Sequence, residues 1–275
     1  MAGLSVVAAD PGAPSQAEGV RHELRVFRRL TAASLRAYSS QRLLGWLWWI
    51  LDPLILIAVY ALVFGELLAL RQGPEGTDYP FFLTCALVPW RWFSLATRRG
   101  GGAFVTSTPL LSSTLVNRRV IVTSQAAAAT IECLLGLVVL FAMMIVYERP
   151  FSPALLMMAA PLAVMALHIL AISYLLAPLM VMLPDLGNFY EMFLRLGFFL
   201  TPCLYSLERV PEAHRGWYVI VNPLVGVIEG IRRPMYEGLA PLWEPLGWSA
   251  AWAVMLLIIG NWSFKRLGND AIRML

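Results

Sequence analysis

Pro89, Trp90, Arg91 and Trp92 stand in the middle of residues 78–94, a stretch that is otherwise almost wholly apolar. A charge near the centre of a bilayer costs roughly 2.5–3.5 kcal/mol on insertion scales, so such an arginine faces a bundle interior or a wet cavity. Four further ionisable groups lie in or beside apolar stretches: Asp52 before Pro53, Glu132, and Glu191 with Arg195. Glu191 precedes Arg195 by four positions, the favourable order for a same-face helical pair. Asp52 has Arg91 or a cytoplasmic arginine as a prospective partner, while Glu132 has none nearby. Structural ion pairing is the preferred reading for all four. Other reactive chemistry is sparse. Cys85, Cys133 and Cys203 are isolated and lack metal-ligand spacing. His22, His168 and His214 fall in three separate compartments of the expected topology, so no metal site and no catalytic triad is expected. Lys265 is the only lysine, and no G-x-x-x-x-G-K-[ST] surrounds it; the chain has no Walker-type phosphate loop. If ATP drives it, the ATPase is another chain.

The elements that position these residues follow from composition. Of 275 residues, 59% are hydrophobic and only 14% charged, against about 25% charged in soluble domains. Apolar runs at 46–70, 79–97, 120–147, 154–183, 188–205 and 246–264 can each be set against the ~20 residues a spanning helix needs. They are continuous and rich in Leu, Ala and Met, without the alternation of a membrane barrel. The expected class is therefore an all-α membrane protein with six transmembrane helices.

Arginine and lysine near the span ends sort by side. Arg21, Arg25, Arg28, Arg29, Arg36 and Arg42 precede the first span; Arg98, Arg99, Arg118 and Arg119 occupy the second loop; Arg195 falls near the fourth; Lys265, Arg266 and Arg273 follow the last. Arg71, Arg149, Arg209, Arg215, Arg232 and Arg233 fall on the opposite side. The bias places both termini in the cytoplasm. Residues 1–19 read as a disordered tail without a cleavable signal. Residues 20–42 read as a helix with Leu24, Phe27, Leu30, Leu35 and Tyr38 roughly on one side and arginines on the other. It is either an interfacial amphipathic helix or a solvated basic helix that sets topology.

Two connections are distinctive. The outer one, 206–245, contains the apolar WYVIVNPLVGVIEGI at 217–231, broken at Asn222-Pro223 and closed by Glu229, Arg232 and Arg233. It reads as paired short helices dipping into the outer leaflet, a gate or mouth built from Trp217, Asn222, Pro223 and Glu229, or else as a surface cap. The inner one begins RRGGG at 98–102, where three glycines favour a bend. Thr108-Pro109 then offers a cap and first position for a short helix through Leu110 and Leu111. That helix either docks in a partner's groove or lies on the headgroups.

Several segments, in order, resemble the permease subunits of ABC-2 type polysaccharide exporters, which export O-antigen, capsular polysaccharide or teichoic acid. They are RLLGWLWWILDPL (42–54) with VYALVFG (59–65), DYPFFL (78–83) with LVPWRWFS (87–94), and LLSSTLVNRR (110–119). They continue with LPD (183–185), FFLTPCLY (198–205), VPE (210–212) and VNPLVGVIE (221–229). The resemblance runs from Arg21 to the C-terminus. It implies a non-catalytic inner-membrane homodimer with an N-terminal interfacial helix, a cytoplasmic coupling helix and re-entrant outer gate helices. It further implies two copies of a separate ABC ATPase that bind the ATP and Mg, a lipid-linked polysaccharide as cargo, periplasmic export components as further partners, and no nucleic acid or cofactor in this chain. By that resemblance the ATPase-docking residues are Thr108, Pro109, Leu110, Leu111, Arg118 and Arg119. This chain has the uncharged Leu111-Ser112-Ser113-Thr114 where many relatives are more basic.

A conduit for a polysaccharide needs aromatic faces for weak stacking and dispersed hydrogen bonders. The candidates to line it are Trp46, Trp49, Tyr60, Tyr79, Phe82, Trp90, Arg91, Trp92, Phe93, Phe198 and Tyr205. Interfacial aromatic belts account for many such residues in any membrane protein. The second-span cluster ranks first because Arg91 needs polar surroundings. The competing readings are a secondary transporter or channel, for which no inverted repeat is visible, and a membrane-embedded transferase, for which only His168 and Glu132 lie deep and share no motif.

Overall fold

The computed structural model describes residues 16–40, 47–60, 62–63, 79–113 and 116–275. It is all-helical, with no strand among the described residues. The helices are α1 (Gln16–Ser40), α2 (Trp48–Tyr60), α3 (Tyr79–Gly101), α4 (Ala103–Thr106), α5 (Thr108–Ser113), α6 (Arg118–Val146), α7 (Ala154–Met157), α8 (Ala159–Met182), α9 (Leu186–Leu200), α10 (Glu212–Val221), α11 (Val225–Tyr236) and α12 (Trp243–Arg273).

α3, α6, α8 and α12 form the body of the bundle, α11 crosses α3, α8 and α12, and α1 lies along α6. Two aromatic knots tie its ends. At one, Phe81 stacks on Tyr147 (centroids 5.7 Å apart), Phe82 meets Tyr236 edge-on (5.6 Å), and the Arg149 guanidinium lies 4.5 Å from the Tyr236 ring. At the other, Phe104 and Tyr174 pack on Phe264 at 5.5 and 5.2 Å. Between the knots, small residues let backbones meet, as is usual where dispersion rather than a hydrophobic gradient joins helices. A Cβ on Gly260 would sit 2.3 Å from the Ala171 carbonyl oxygen, and one on Gly100 would sit 2.2 Å from Ser173 Oγ. This revises the expected glycine bend: Gly100 and Gly101 lie within α3 and admit α8, and only Gly102 turns the chain.

Among the described residues, three helical segments are long and apolar enough to cross a membrane: Arg118–Val146, Ala154–Met182 and Trp243–Arg273. The other expected spans differ for physical reasons. α3 carries Arg91, Arg98 and Arg99. α9 has 15 residues, ~22 Å of helix against a ~30 Å hydrocarbon core, and it ends at Leu200 rather than 205. The first expected span is described only over 47–60 and 62–63. Pro89 sits inside α3, which continues through it to Gly101. Thr84, Ser94 and Thr97 donate to the carbonyls four residues back at 2.6–2.8 Å, satisfying their own hydroxyls within the helix.

Candidate functional site

Trp90 separates two cavities. One, of 310 Å³, lies between α2, α3 and α9 and is lined by Leu56, Leu87, Trp90, Arg91, Ser94, Arg98, Glu191, Leu194, Arg195, Phe198 and Phe199. The other, of 840 Å³, lies among α3, α8, α9, α10 and α12 and is overwhelmingly apolar and aromatic, with Phe93, Tyr190, Phe193, Trp217, Tyr218 and Trp252 in its wall. α9 therefore stands with a cavity on each flank. It is held to α3 by Tyr190, whose hydroxyl donates to Thr97 Oγ1 at 2.7 Å, and by the Trp90 and Phe198 rings, 5.9 Å apart. It is also held by Arg98, whose Nη1 donates to Glu191 Oε1 at 3.2 Å.

Arg91, Ser94 and Arg98 recur at i, i+3 and i+7, which lays them along one stripe of α3. Arg195 lies 3.8 Å from Glu191, giving the expected pair on α9, with Arg98 as a second cation on the same carboxylate. Glu132 also has a partner: Arg99 holds it with both terminal nitrogens, the Nη2–Oε2 contact being 3.0 Å, with Glu132 buried and Arg99 mostly so. Sequence spacing could not reveal this pair, because 33 positions separate its members.

The connection between α9 and α12 contains two short helices, α10 and α11, broken between Val221 and Val225. Asn222 caps the break: its amide donates to Leu200 O (3.0 Å) and Thr201 Oγ1 (3.2 Å), and its carbonyl accepts the Leu224 N–H (3.1 Å). Pro223 and the exposed Trp217 line the larger cavity. Glu229 is turned inward, accepting from Arg232 Nη1 at 2.7 Å. Burial pushes the Glu229 carboxyl above its ordinary range, with Arg232 pulling it back. Arg232 also donates to the carbonyls of Pro202 (2.5 Å), Cys203 (3.1 Å) and Tyr205 (3.3 Å) and stacks 4.0 Å from the Phe82 ring. One guanidinium thus satisfies the turn that follows α9, where backbone acceptors would otherwise be stranded.

The predicted lining residues separate. Trp90, Arg91, Phe93 and Phe198 reach the cavities. Tyr79 and Phe82 are packed within the chain, Tyr79 donating to Leu204 O at 3.3 Å. Trp92 faces α6, its indole N–H donating to Thr130 Oγ1 at 2.9 Å. The Tyr205 hydroxyl lies 3.0 Å from that of Tyr218, whose phenol is held above its ordinary value by burial and by this neighbour. Trp46 and the side chains of Trp49, Asp52 and Tyr60 lie outside the described residues. The two histidines assigned to separate compartments, His168 and His214, line the same cavity. Tyr190 and Phe193, further aromatics of the fifth apolar run that are candidates for a path by their place in the sequence, also line that wall, and Tyr218 and Trp252 join it through tertiary folding with no local spacing to mark them.

In the connection between α3 and α6, α5 starts at Thr108 with Pro109 second. Ser107 precedes it, its carbonyl accepting from Leu110 and Leu111 at 3.0 and 3.1 Å, so the cap position falls one residue earlier than expected. Leu110 is exposed, whereas Leu111 packs against the Phe104 and Phe264 knot. The side chain of Pro109 lies outside the described set. Arg118 is hydrogen-bonded to Asn269, and Arg119 to Asn261 at 2.7 Å, both on α12. Asn117 donates to Glu23 on α1 at 2.9 Å. The start of α6 thereby joins the first and last helices.

Comparison with characterised proteins places this geometry in context. The chain is 29% identical over 229 residues, 83% of its length, to the O-antigen export system permease protein RfbA of Myxococcus xanthus, covering 86% of that protein. It is 27% identical over 210 residues, 76% of its length, to the Klebsiella pneumoniae protein of the same description, covering 79% of it. It is 24% identical over 225 residues to the polysialic acid transport protein KpsM of Escherichia coli, 79% of this chain and 83% of that one. No protein-family model matches the chain.

Proposed function

We infer that this chain, a homologue of O-antigen and polysialic acid export permeases over most of its length, is itself the permease subunit of an ABC-2 type polysaccharide exporter. The observation that carries the reading is the near-full-length similarity to permeases of two polysaccharide export systems. The aromatic cavity beside Trp90 supports it. Tryptophan, tyrosine and phenylalanine faces offer weak, sequence-tolerant contacts to the C–H faces of sugars, and Thr201, Asn222 and Tyr218 supply dispersed hydrogen bonders. A polymer can move past such a wall because no single contact is strong.

The finer reading is a homodimer in the bacterial inner membrane, each copy with six spans, both termini cytoplasmic, and α10 with α11 re-entering from the outside as a gate. The chain does not hydrolyse ATP. A separate ABC ATPase, two copies per dimer, docks on α5 and supplies the power stroke. Its cargo is a lipid-linked or lipid-anchored cell-surface polysaccharide.

The test is a chromosomal deletion together with reconstitution. Deletion is expected to trap polymer inside the cell, and lipid-linked glycan is expected to stimulate the ATPase co-purified with the chain in proteoliposomes. Unchanged surface polysaccharide with an unstimulated ATPase refutes the export reading.

A further inference from the structure

His168 lies wholly buried in α8, on the wall of the larger cavity. Its Nδ1 is 3.0 Å from the Val164 carbonyl oxygen one turn back. A carbonyl can only accept, so Nδ1 carries the hydrogen and Nε2, on the far edge of the neutral ring, is left as an acceptor. Among the described residues no acid lines the cavity to stabilise an imidazolium. Nε2 has no hydrogen-bond partner within the chain, which is unusual for a buried polar atom.

The other polar groups of this wall share one trait. Tyr190 donates its hydroxyl hydrogen to Thr97 Oγ1 at 2.7 Å, and Tyr218 donates to the Leu200 carbonyl at 2.7 Å. The Asn222 amide is spent on Leu200 and Thr201, and the Trp252 indole N–H on the Ile220 carbonyl at 2.6 Å. These donors are committed inside the chain, so what the buried wall keeps for a ligand is mainly lone pairs. The ring N–H groups of His214 and Trp217 belong to exposed residues, within reach of water. No arginine or lysine lines the cavity among the described residues.

We propose that this cavity holds neutral glycosyl units, with His168 Nε2 accepting one sugar hydroxyl, and that its wall discriminates against acidic ones. The inference rests on the export reading and narrows its cargo. A sugar hydroxyl donates and so satisfies Nε2, while the C–H faces of the ring can lie on Phe93, Phe193 or Trp252. An ionised carboxylate only accepts. In this cavity it would lose its water opposite further lone pairs, with no cation to meet it, at a far greater cost than a hydroxyl. The volume of 840 Å³ is within the usual range for small-ligand sites. One neutral hydrogen bond has a modest net worth, so His168 can select a unit without arresting the polymer.

The experiment is saturation-transfer NMR on the full-length chain in zwitterionic nanodiscs. The titrants are six-unit oligomers of glucose, mannose and galactose, their permethylated forms, and a galacturonate hexamer. Transfer to at least one neutral oligomer is expected. The galacturonate hexamer is expected to bind about tenfold more weakly or worse, as are the permethylated forms, which keep C–H faces but have no hydroxyl donors. H168F keeps a ring and loses the acceptor, and is expected to raise the Kd of the bound oligomer roughly two- to tenfold. H168Q, whose amide oxygen can replace Nε2, is expected to restore most of the affinity. The permethylated arm uses the unaltered chain, so the test stays valid should H168F fail to fold. No transfer to any neutral oligomer, as when membrane lipid fills the cavity, overturns the proposal. So does equal binding of the galacturonate or permethylated oligomers, a Kd unchanged in H168F, or a loss in H168Q as large as in H168F, which marks a structural role. Binding that depends on His168 in a chain whose deletion leaves surface polysaccharide unchanged keeps the sugar site and refutes only export. Polymer trapped on deletion, without binding that depends on His168, keeps export and refutes only the site.

Discussion

Glu132 shows how a residue that looks stranded along the chain is made safe by folding. Arg99 reaches it from the end of α3 and binds both carboxylate oxygens, the planar fork geometry that makes Arg–carboxylate pairs strong. Both groups have lost most of their water, so the pair is costly to break from one side. Glu132→Gln is expected to lower stability by about 3–5 kcal/mol, and replacing both partners by apolar residues, Arg99→Met with Glu132→Leu, to restore most of it. Thermal unfolding of the detergent-solubilised protein checks this; a single variant that melts like the parent removes the structural assignment. Arg232 follows the same logic with backbone partners. It anchors the turn after α9 to α11 through three carbonyls, Glu229 and the Phe82 face, and so adds to the Phe81 and Phe82 contacts with Tyr236 that couple α11 to α3.

At the scale of elements, two helices carry the consequences. α3 approaches α8 over Gly100, where an added methyl would overlap Ser173 Oγ. Gly100→Ala is expected to destabilise by about 1–3 kcal/mol, as overpacking does, and Ser173→Gly in the same chain to recover it, read as paired shifts in melting temperature. α5 divides its two leucines: Leu110 faces outward while Leu111 is part of the Phe104 knot. Leu110→Asp alone is therefore the clean docking test. In the proposed exporter, loss of the co-eluting ATPase with the membrane-embedded chain still folded is the expected result, and retained co-elution removes α5 as the contact. Leu111→Asp mixes docking with a charge buried against Phe104 and is expected to lower the melting temperature as well.

For the whole molecule, the arrangement that matters is α9 standing between a charged cleft and an aromatic cavity, with Trp90 as the partition. Trp217 lies at the edge of the aromatic side and is mostly exposed. Trp217→Ala should leave the melting temperature unchanged while slowing polysaccharide export roughly two- to tenfold, in keeping with the worth of one aromatic contact; surface-polymer labelling over time measures it. Much of this organisation is legible along the chain. Continuous apolar runs dictate helices, because unpaired backbone cannot face lipid. The Asn222-Pro223 break follows from a missing N–H and a side chain that prefers to cap. The Glu191–Arg195 pair follows from helical spacing. These are local effects, set by bond geometry and by neighbours within one or two turns. Packing in three dimensions sets which distant groups meet: Arg99 with Glu132, Arg98 with Glu191, and Arg232 with the turn at 202–205; it also brings His168 and His214 to the wall of one cavity. Apolar periodicity specifies that a face is buried but not against which helix. The pairing of buried charges depends on rotation and register between helices, set by close contacts such as those at Gly100 and Gly260, and no local pattern encodes it.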